Sequence, residues 1–234
     1  MKWNILDTGT QSAKANMKLD HDLLENLDQQ TQPILHFYDW EGDSATYGHF
    51  VNPSDFLNLE EVNNRKLHLA KRPTGGGIVF HIWDFAFSLL VPASHEYFSE
   101  NTLENYAFVN NAVLAAVSPF ISNQPELIVE DAQSQDVSCE RFCMARPTKY
   151  DVVFNGRKIA GAAQRKTKKG FLHQGTIALK MPDEEFLQSV LLPNTKVMDA
   201  MRAQTFPLQL ERSAIKEALQ SEFTKEHNYV KNSH

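Results

Sequence analysis

Cysteine is nearly absent from this 234-residue chain: there are two, Cys139 and Cys143. That is too few for a disulfide framework and reads as free thiols in a reducing compartment. Long apolar runs are absent too. The longest, 85–92 and 112–117, fall far short of the ~20 residues a membrane helix needs, and the N-terminus lacks the apolar core of a secretory signal. The expectation is a soluble, cytoplasmic protein with no membrane partner. Positive charge is not in excess: 23 Lys and Arg against 29 Asp and Glu give a net charge of −6. This argues against nucleic acid as the main partner, although a local basic patch could still meet an acidic protein. A hydrophobic content of 42% is enough for a packed core.

The elements alternate without a regular βαβ rhythm. Strands are predicted over 3–6, 34–40, 45–47, 67–71, 78–80 and 85–91. Helices are predicted over 12–27, 53–62 with Ser54 as N-cap, and 102–117. A meander follows, with a strand over 150–154 and the hairpin signal Asn155-Gly156. It returns over 157–165, turns over 166–170 and ends with a strand over 171–179. Helices over 184–191 and 213–223 close the chain, and residues 227–234 are expected to fray. Hairpins outnumber crossovers, so the fold class is α+β: a mixed, largely antiparallel sheet with packed helices. The length suits one domain spanning 1–234.

Glycine is scarce as well, with ten in all, yet three stand together in RPTGGGIVFH, residues 72–81. A triple glycine is costly in backbone entropy and lets the chain pass where no side chain fits. Gly75, Gly76 and Gly77 match neither GxGxxG nor the P-loop. A nest of backbone N–H groups for an anion, with Arg72 as its partner, and a plain bulged hairpin both remain open. In the meander, Lys158 precedes Ile159. If Ile159 faces the core, Lys158 faces the other side. Gly161 keeps the neighbouring backbone open, and His173 and Gly175 lie on the next strand. Taken singly, Lys158 reads as a solvated lysine and His173 as a structural histidine. Lys166, Lys168 and Lys169 read as a solvated turn or a contact for an acidic partner.

Taken together, RPTGGGIVFH with FAFSLLVP, YDVVFNGRKIAGAAQR and LHQGTIAL resembles the catalytic domain of the lipoate–protein ligase A and octanoyltransferase family, distantly related to biotin–protein ligases. ANMKLDHDLLENL is similar to the family's first helix. The resemblance runs over about residues 1–190. It implies the biotin/lipoate ligase type of α+β domain, with lipoate or octanoate as substrate in a tunnel. On this resemblance Arg72, Gly75, Gly76 and Gly77 line the acyl group. Lys158 polarises the acyl carbonyl, and His81 and His173 support the site. The implied acceptors are lipoyl domains of 2-oxoacid dehydrogenases and the glycine cleavage H protein.

The resemblance implies two chemistries. A ligase uses ATP and Mg²⁺ to form lipoyl-AMP before transfer to the acceptor lysine; here Asp151 is the nucleotide-side candidate. A transferase takes the acyl group from acyl carrier protein, in one branch through a cysteine nucleophile. Ligases usually carry HDxGN where this chain has His81-Ile82-Trp83-Asp84-Phe85, and Asn-Asp where it has Tyr150-Asp151. CMARPTKYD, residues 143–151, is similar to the cysteine segment of octanoyltransferases and puts Cys143 at the nucleophile's place. Its thiol, ordinarily near pKa ~8.5, needs lowering, which Lys158 and Arg146 could supply. Cys139 reads as a packing residue. On these grounds the ligase stands first, the cysteine transferase second, and a non-catalytic acyl- or lipoyl-domain-binding module third. No accessory C-terminal domain is expected.

Overall fold

The computed structural model describes residues 2–134 and 136–225. The segment expected to fray lies outside them. Ten strands form two sheets among the described residues. The larger has the order β1-β2-β6-β10-β9-β8-β7 and the smaller β4-β3-β5. In chain order these are β1 (Asn4–Gln11), β2 (Ile34–Trp40), β3 (Ser44–Tyr47), β4 (His68–Lys71), β5 (Ile78–His81), β6 (Asp84–Pro92), β7 (Glu126–Leu127), β8 (Val152–Phe154), β9 (Arg157–Thr167) and β10 (Gly170–Ala178). Only β1/β2 and β3/β4 run parallel; the remaining pairs are antiparallel. The sheet is mixed and largely antiparallel, as the sequence predicts.

The helices are α1 (Ala13–Glu25), α2 (Leu59–Asn64), α3 (Thr102–Val117), α4 (Glu184–Val190), α5 (Val197–Gln204) and α6 (Arg212–Thr224). One core lies between the large sheet and α3 with α6. Phe37, Phe87 and Leu89 meet Val109, Val113 and Leu219 there. A second core packs β5 against α4 and α5, through Ile78, Phe80, Phe186, Val190 and Met201. Helix α1 joins them, its buried Ala13 and Met17 meeting Tyr38 of β2 and Ala70 of β4. Ser12 caps α1 by accepting from the Ala15 amide at 3.3 Å.

Four local expectations change. The helix over 53–62 is two pieces: a 3-10 turn at Pro53–Asp55 and α2, which is capped by Asn58 rather than Ser54. The break falls where Leu57 buries itself and bridges Leu191. The strand over 150–154 begins only at Val152, because Tyr150 adopts φ +70°, outside the extended region. Helix α5 and strand β7 are additional. Asn155-Gly156 is the tight turn expected, with φ of +51° and +71°.

The glycine segment is not a hairpin. β4 and β5 flank β3 and do not pair with each other, so residues 72–77 arch over the end of β3. The arch is tied down by Arg72 N–H to the Tyr47 carbonyl (2.8 Å), His49 N–H to the Thr74 carbonyl (3.0 Å) and Gly48 N–H to the Gly77 carbonyl (3.3 Å).

Candidate active site

Beneath this arch lies a cavity of about 150 Å³. Its walls bring together elements far apart in sequence: Arg72, Gly76 and Gly77 from the arch, His81 from β5, Lys158 from β9 and Cys143 from the segment before β8. Gly175 of β10 also lies on the wall. Gly75, Asp151, Gly161 and His173 do not.

Three glycines on or behind the wall make room for the protein's own groups. A Cβ on Gly77 would sit 2.2 Å from the Arg141 carbonyl oxygen. The arch therefore lets the 139–145 segment approach, with Phe142 bridging Ile78, and so sets Cys143 on the cavity. A Cβ on Gly161 would meet Lys158 Cε at 2.3 Å and Nζ at 2.5 Å, so Gly161 clears the path of that side chain. A Cβ on Gly175 would strike the Phe87 ring at 2.5 Å. Gly76 is required by its own backbone, at φ +80°. Gly75 has open space around its Cβ position. Gly48, which the sequence reading passes over, is as constrained as any: its Cβ would lie 2.0 Å from the Gly76 carbonyl oxygen, under the arch.

Arg72 is buried inside this arch. It donates to the Gly75 carbonyl (3.0 Å), the Gly77 carbonyl (2.6 Å) and Thr46 Oγ1 (2.8 Å). Two of these bonds hold the loop and the third ties it to β3, so its first role is structural. Burial pulls its pKa down to about 10, leaving it charged at neutral pH. Thr46 Oγ1 accepts from Arg72 and is also hydrogen-bonded to His81 Nε2, 2.7 Å away. His81 in turn donates from Nδ1 to Asp84 Oδ2 at 2.8 Å, and its ring stacks on Trp40. Thr176 also donates to Asp84. This Asp84–His81–Thr46–Arg72 chain fixes one cavity wall. Only His81 and Arg72 were legible as site residues.

Lys158 sits opposite. Ile159 is in the main core and Lys158 on the cavity side, as the alternation requires. Its ammonium is 2.6 Å from Asp151 Oδ2 and 2.8 Å from the Cys143 carbonyl oxygen, with both side chains of the ion pair almost fully buried. Burial works against the charge. The Asp151 carboxylate, Cys143 and the hydrogen bonds to both outweigh it and hold Lys158 above its ordinary pKa. Asp151 makes these contacts through one oxygen: besides Lys158, its Oδ2 accepts from the Thr148 amide (2.6 Å) and hydroxyl (2.9 Å).

Cys143 is half-buried on the wall, whereas Cys139 is fully buried with its thiol pushed up to about 11, by burial first and Asp136 second. Arg146 also lines the cavity, but its Nε is taken by the Ala132 carbonyl at 2.6 Å. His173 lies away from the cavity, packed near Phe87 and Tyr106, with Nδ1 2.8 Å from Gln164 Nε2. Gln174, its neighbour, is on the wall instead. It accepts from Thr74 of the arch (2.7 Å) and donates to Asp20 of α1 (2.6 Å), tying the two together. Along β10 the side chains of Gln174 and Thr176 face the cavity and that of His173 the other side, while Gly175, with no side chain, reaches the wall through its backbone.

Residues 12–227 match the sequence profile of the lipoyl protein ligase A/B catalytic domain. The chain belongs to that family. Among curated relatives of this LplA/B-type chain is octanoyltransferase LipM of Bacillus cereus, 29% identical over 206 residues, covering 86% of this chain and 74% of the relative. LipM of Geobacillus kaustophilus is 30% identical over 206 residues, covering 86% and 73%. Among solved structures, a lipoate–protein ligase A bound with ATP gives a TM-score of 0.73 at 21% identity, covering 95% of this chain and 84% of the other. The bipartite lipoate protein ligase of Thermoplasma acidophilum gives 0.70 at 22%, covering 95% and 82%. These structures establish the shared fold. Membership of the LplA/B family places the chain among enzymes that attach lipoyl or octanoyl groups.

Proposed function

We propose that this LplA/B-family chain acts as a single catalytic unit, a transferase that moves an octanoyl or lipoyl group through a thioester on Cys143. The observation that carries the reading is the placement of Cys143 on the cavity wall beside the Lys158 ammonium. The names of the LipM relatives support it. In the first step the Cys143 thiolate attacks the carbonyl carbon of an acyl thioester on a carrier. The C–S bond to the carrier breaks, and the carrier thiol leaves with a proton. In the second step the ε-amine of an acceptor lysine attacks the acyl-Cys143 carbonyl. An amide forms, the amine loses a proton and the Cys143 thiolate is released. Lys158 provides positive charge beside the thiolate and, in both steps, for the negative charge that develops on the carbonyl oxygen. The eight-carbon chain gains about 0.8 kcal/mol for each CH₂ it buries.

The ATP-dependent ligase would use the same cavity and the same lysine. It fits less well because the chain carries His81-Ile82-Trp83-Asp84-Phe85 and Tyr150-Asp151 where the family resemblance sets HDxGN and Asn-Asp for ligases. The test is the mass of an apo lipoyl domain after incubation with the protein. One reaction holds octanoyl-acyl carrier protein without ATP; the other holds lipoate, ATP and Mg²⁺. The transferase modifies the acceptor in the first, and Cys143→Ser reduces the rate by about three orders of magnitude or more. Modification only in the second, indifferent to Cys143→Ser, would establish the ligase.

A further inference from the structure

Next to the cavity runs a groove lined by Lys14 and Lys18 of α1, Lys71 and Arg72 at the end of β4, and Arg165 of β9, with no acidic side chain on its walls. Met17 and Arg72 line both the groove and the cavity, so the two are contiguous. Lys14 and Lys71 are exposed and have no ion pair or side-chain hydrogen bond among the described residues. Lys18 pairs with Asp22, itself half-buried. In a chain of net charge −6, such a concentration of positive charge at the mouth of a cavity focuses the field there. A second observation marks the same place. Phe50 is 91% exposed and packs edge-on to His49, which lines the groove. Exposed aromatics beside a charged groove are the usual anchors of protein contacts.

From these features we infer that the groove is the docking surface for the acyl donor: an acidic carrier protein whose thioester hangs on an anionic, phosphodiester-bearing arm. This rests on the transferase reading. The sign of the charge selects donor over acceptor. An acceptor must pass a lysine amine through the mouth, and the groove repels its protonated form. An anionic arm is drawn along the same walls, past Arg165 and Arg72, with its thioester arriving at Cys143. The acidic face of the carrier body rests on Lys14, Lys18 and Lys71, and Phe50 anchors its edge.

The test uses the full chain with Lys14→Glu/Lys71→Glu, and separately Phe50→Ala. Binding of octanoyl-acyl carrier protein is followed by fluorescence anisotropy, and turnover is measured with an uncharged small-molecule octanoyl thioester. The charge reversal is expected to weaken carrier binding about tenfold or more and to flatten its salt dependence between about 50 and 300 mM. Phe50→Ala is expected to weaken it several-fold. Turnover of the small thioester should be unchanged in both, which shows that the site is intact. Unchanged carrier binding in the charge-reversed chain overturns the docking surface, whatever the chemistry. A rise in the KM for the lipoyl-domain acceptor with carrier binding unmoved also overturns it, assigning the groove to the acceptor. Failure of wild type to turn over the small thioester strikes the transferase reading instead, and the binding measurement still decides the groove.

Discussion

Lys158 holds a full charge almost entirely out of water because Asp151 stands 2.6 Å away and Gly161 leaves its stem room. Lys158→Ala therefore does more than remove a functional group: it strands a buried carboxylate. Transfer is expected to vanish and stability to fall by about 3–5 kcal/mol, measured by denaturant unfolding. Adding Asp151→Asn should restore much of the stability and none of the activity. His173 gives a second, separable signature. Burial drives its folded pKa down to about 3, against an ordinary 6.5. The unfolded chain then binds the proton that the folded chain refuses. The His173 contribution is complete above about pH 6.5 and is lost as pH falls, by up to about 1.4 kcal/mol per unit. His173→Phe should flatten the slope of stability against pH between 6.5 and 4 relative to wild type. An unchanged slope would mean that the ring is hydrated or protonated in place.

At the scale of elements, the glycine arch is a crossover, and its tightest point faces the chain itself. Gly77→Ala would push on the Arg141–Phe142 backbone and carry Cys143 off the wall. The expectation is a folded protein, by circular dichroism, whose Cys143 acylates at least about tenfold more slowly. Gly75→Ala, with open space around it, should be close to neutral. The sequence could mark three glycines as special, because their entropy cost demands a reason. It could not rank them, because the tightest contact is between Gly77 and the Arg141–Phe142 backbone, distant in sequence. The lost boundaries have similar causes. Helix α5 lacks a capping side chain, and residues 53–62 split because Leu57 finds a tertiary partner that propensity does not see.

For the whole molecule, the fold class was legible because α1 carries an apolar face, α3 and β6 are rich in apolar residues, and Asn155-Gly156 marks the hairpin of the β8–β10 meander. Which sheet a strand joins was not. Only the three-dimensional arrangement separates β3, β4 and β5 into a second sheet, and the cavity exists because of that separation. Its polar wall of Thr46, Gln174 and Thr176, backed by Asp84 behind His81, carries no local motif and is assembled from three strands. Arg72, Gly76, Gly77, His81, Cys143, Lys158 and Gly175 were readable because family motifs concentrate them. Asp151 and Gly161 prove to act on Lys158 from behind the wall. Helices long and apolar enough to cross a membrane are absent among the described residues.

The transferase is set apart from the ligase by whether the acyl group ever resides on Cys143. The most direct measurement is the intact mass of the protein after brief exposure to octanoyl-acyl carrier protein, without ATP or acceptor, followed by peptide mapping. An octanoyl adduct on the Cys143 peptide, absent in Cys143→Ser and discharged on adding an apo lipoyl domain, is the expected result. An unmodified protein that nevertheless lipoylates the acceptor from lipoate, ATP and Mg²⁺ would contradict it, and would make Cys143 a wall residue of a ligase.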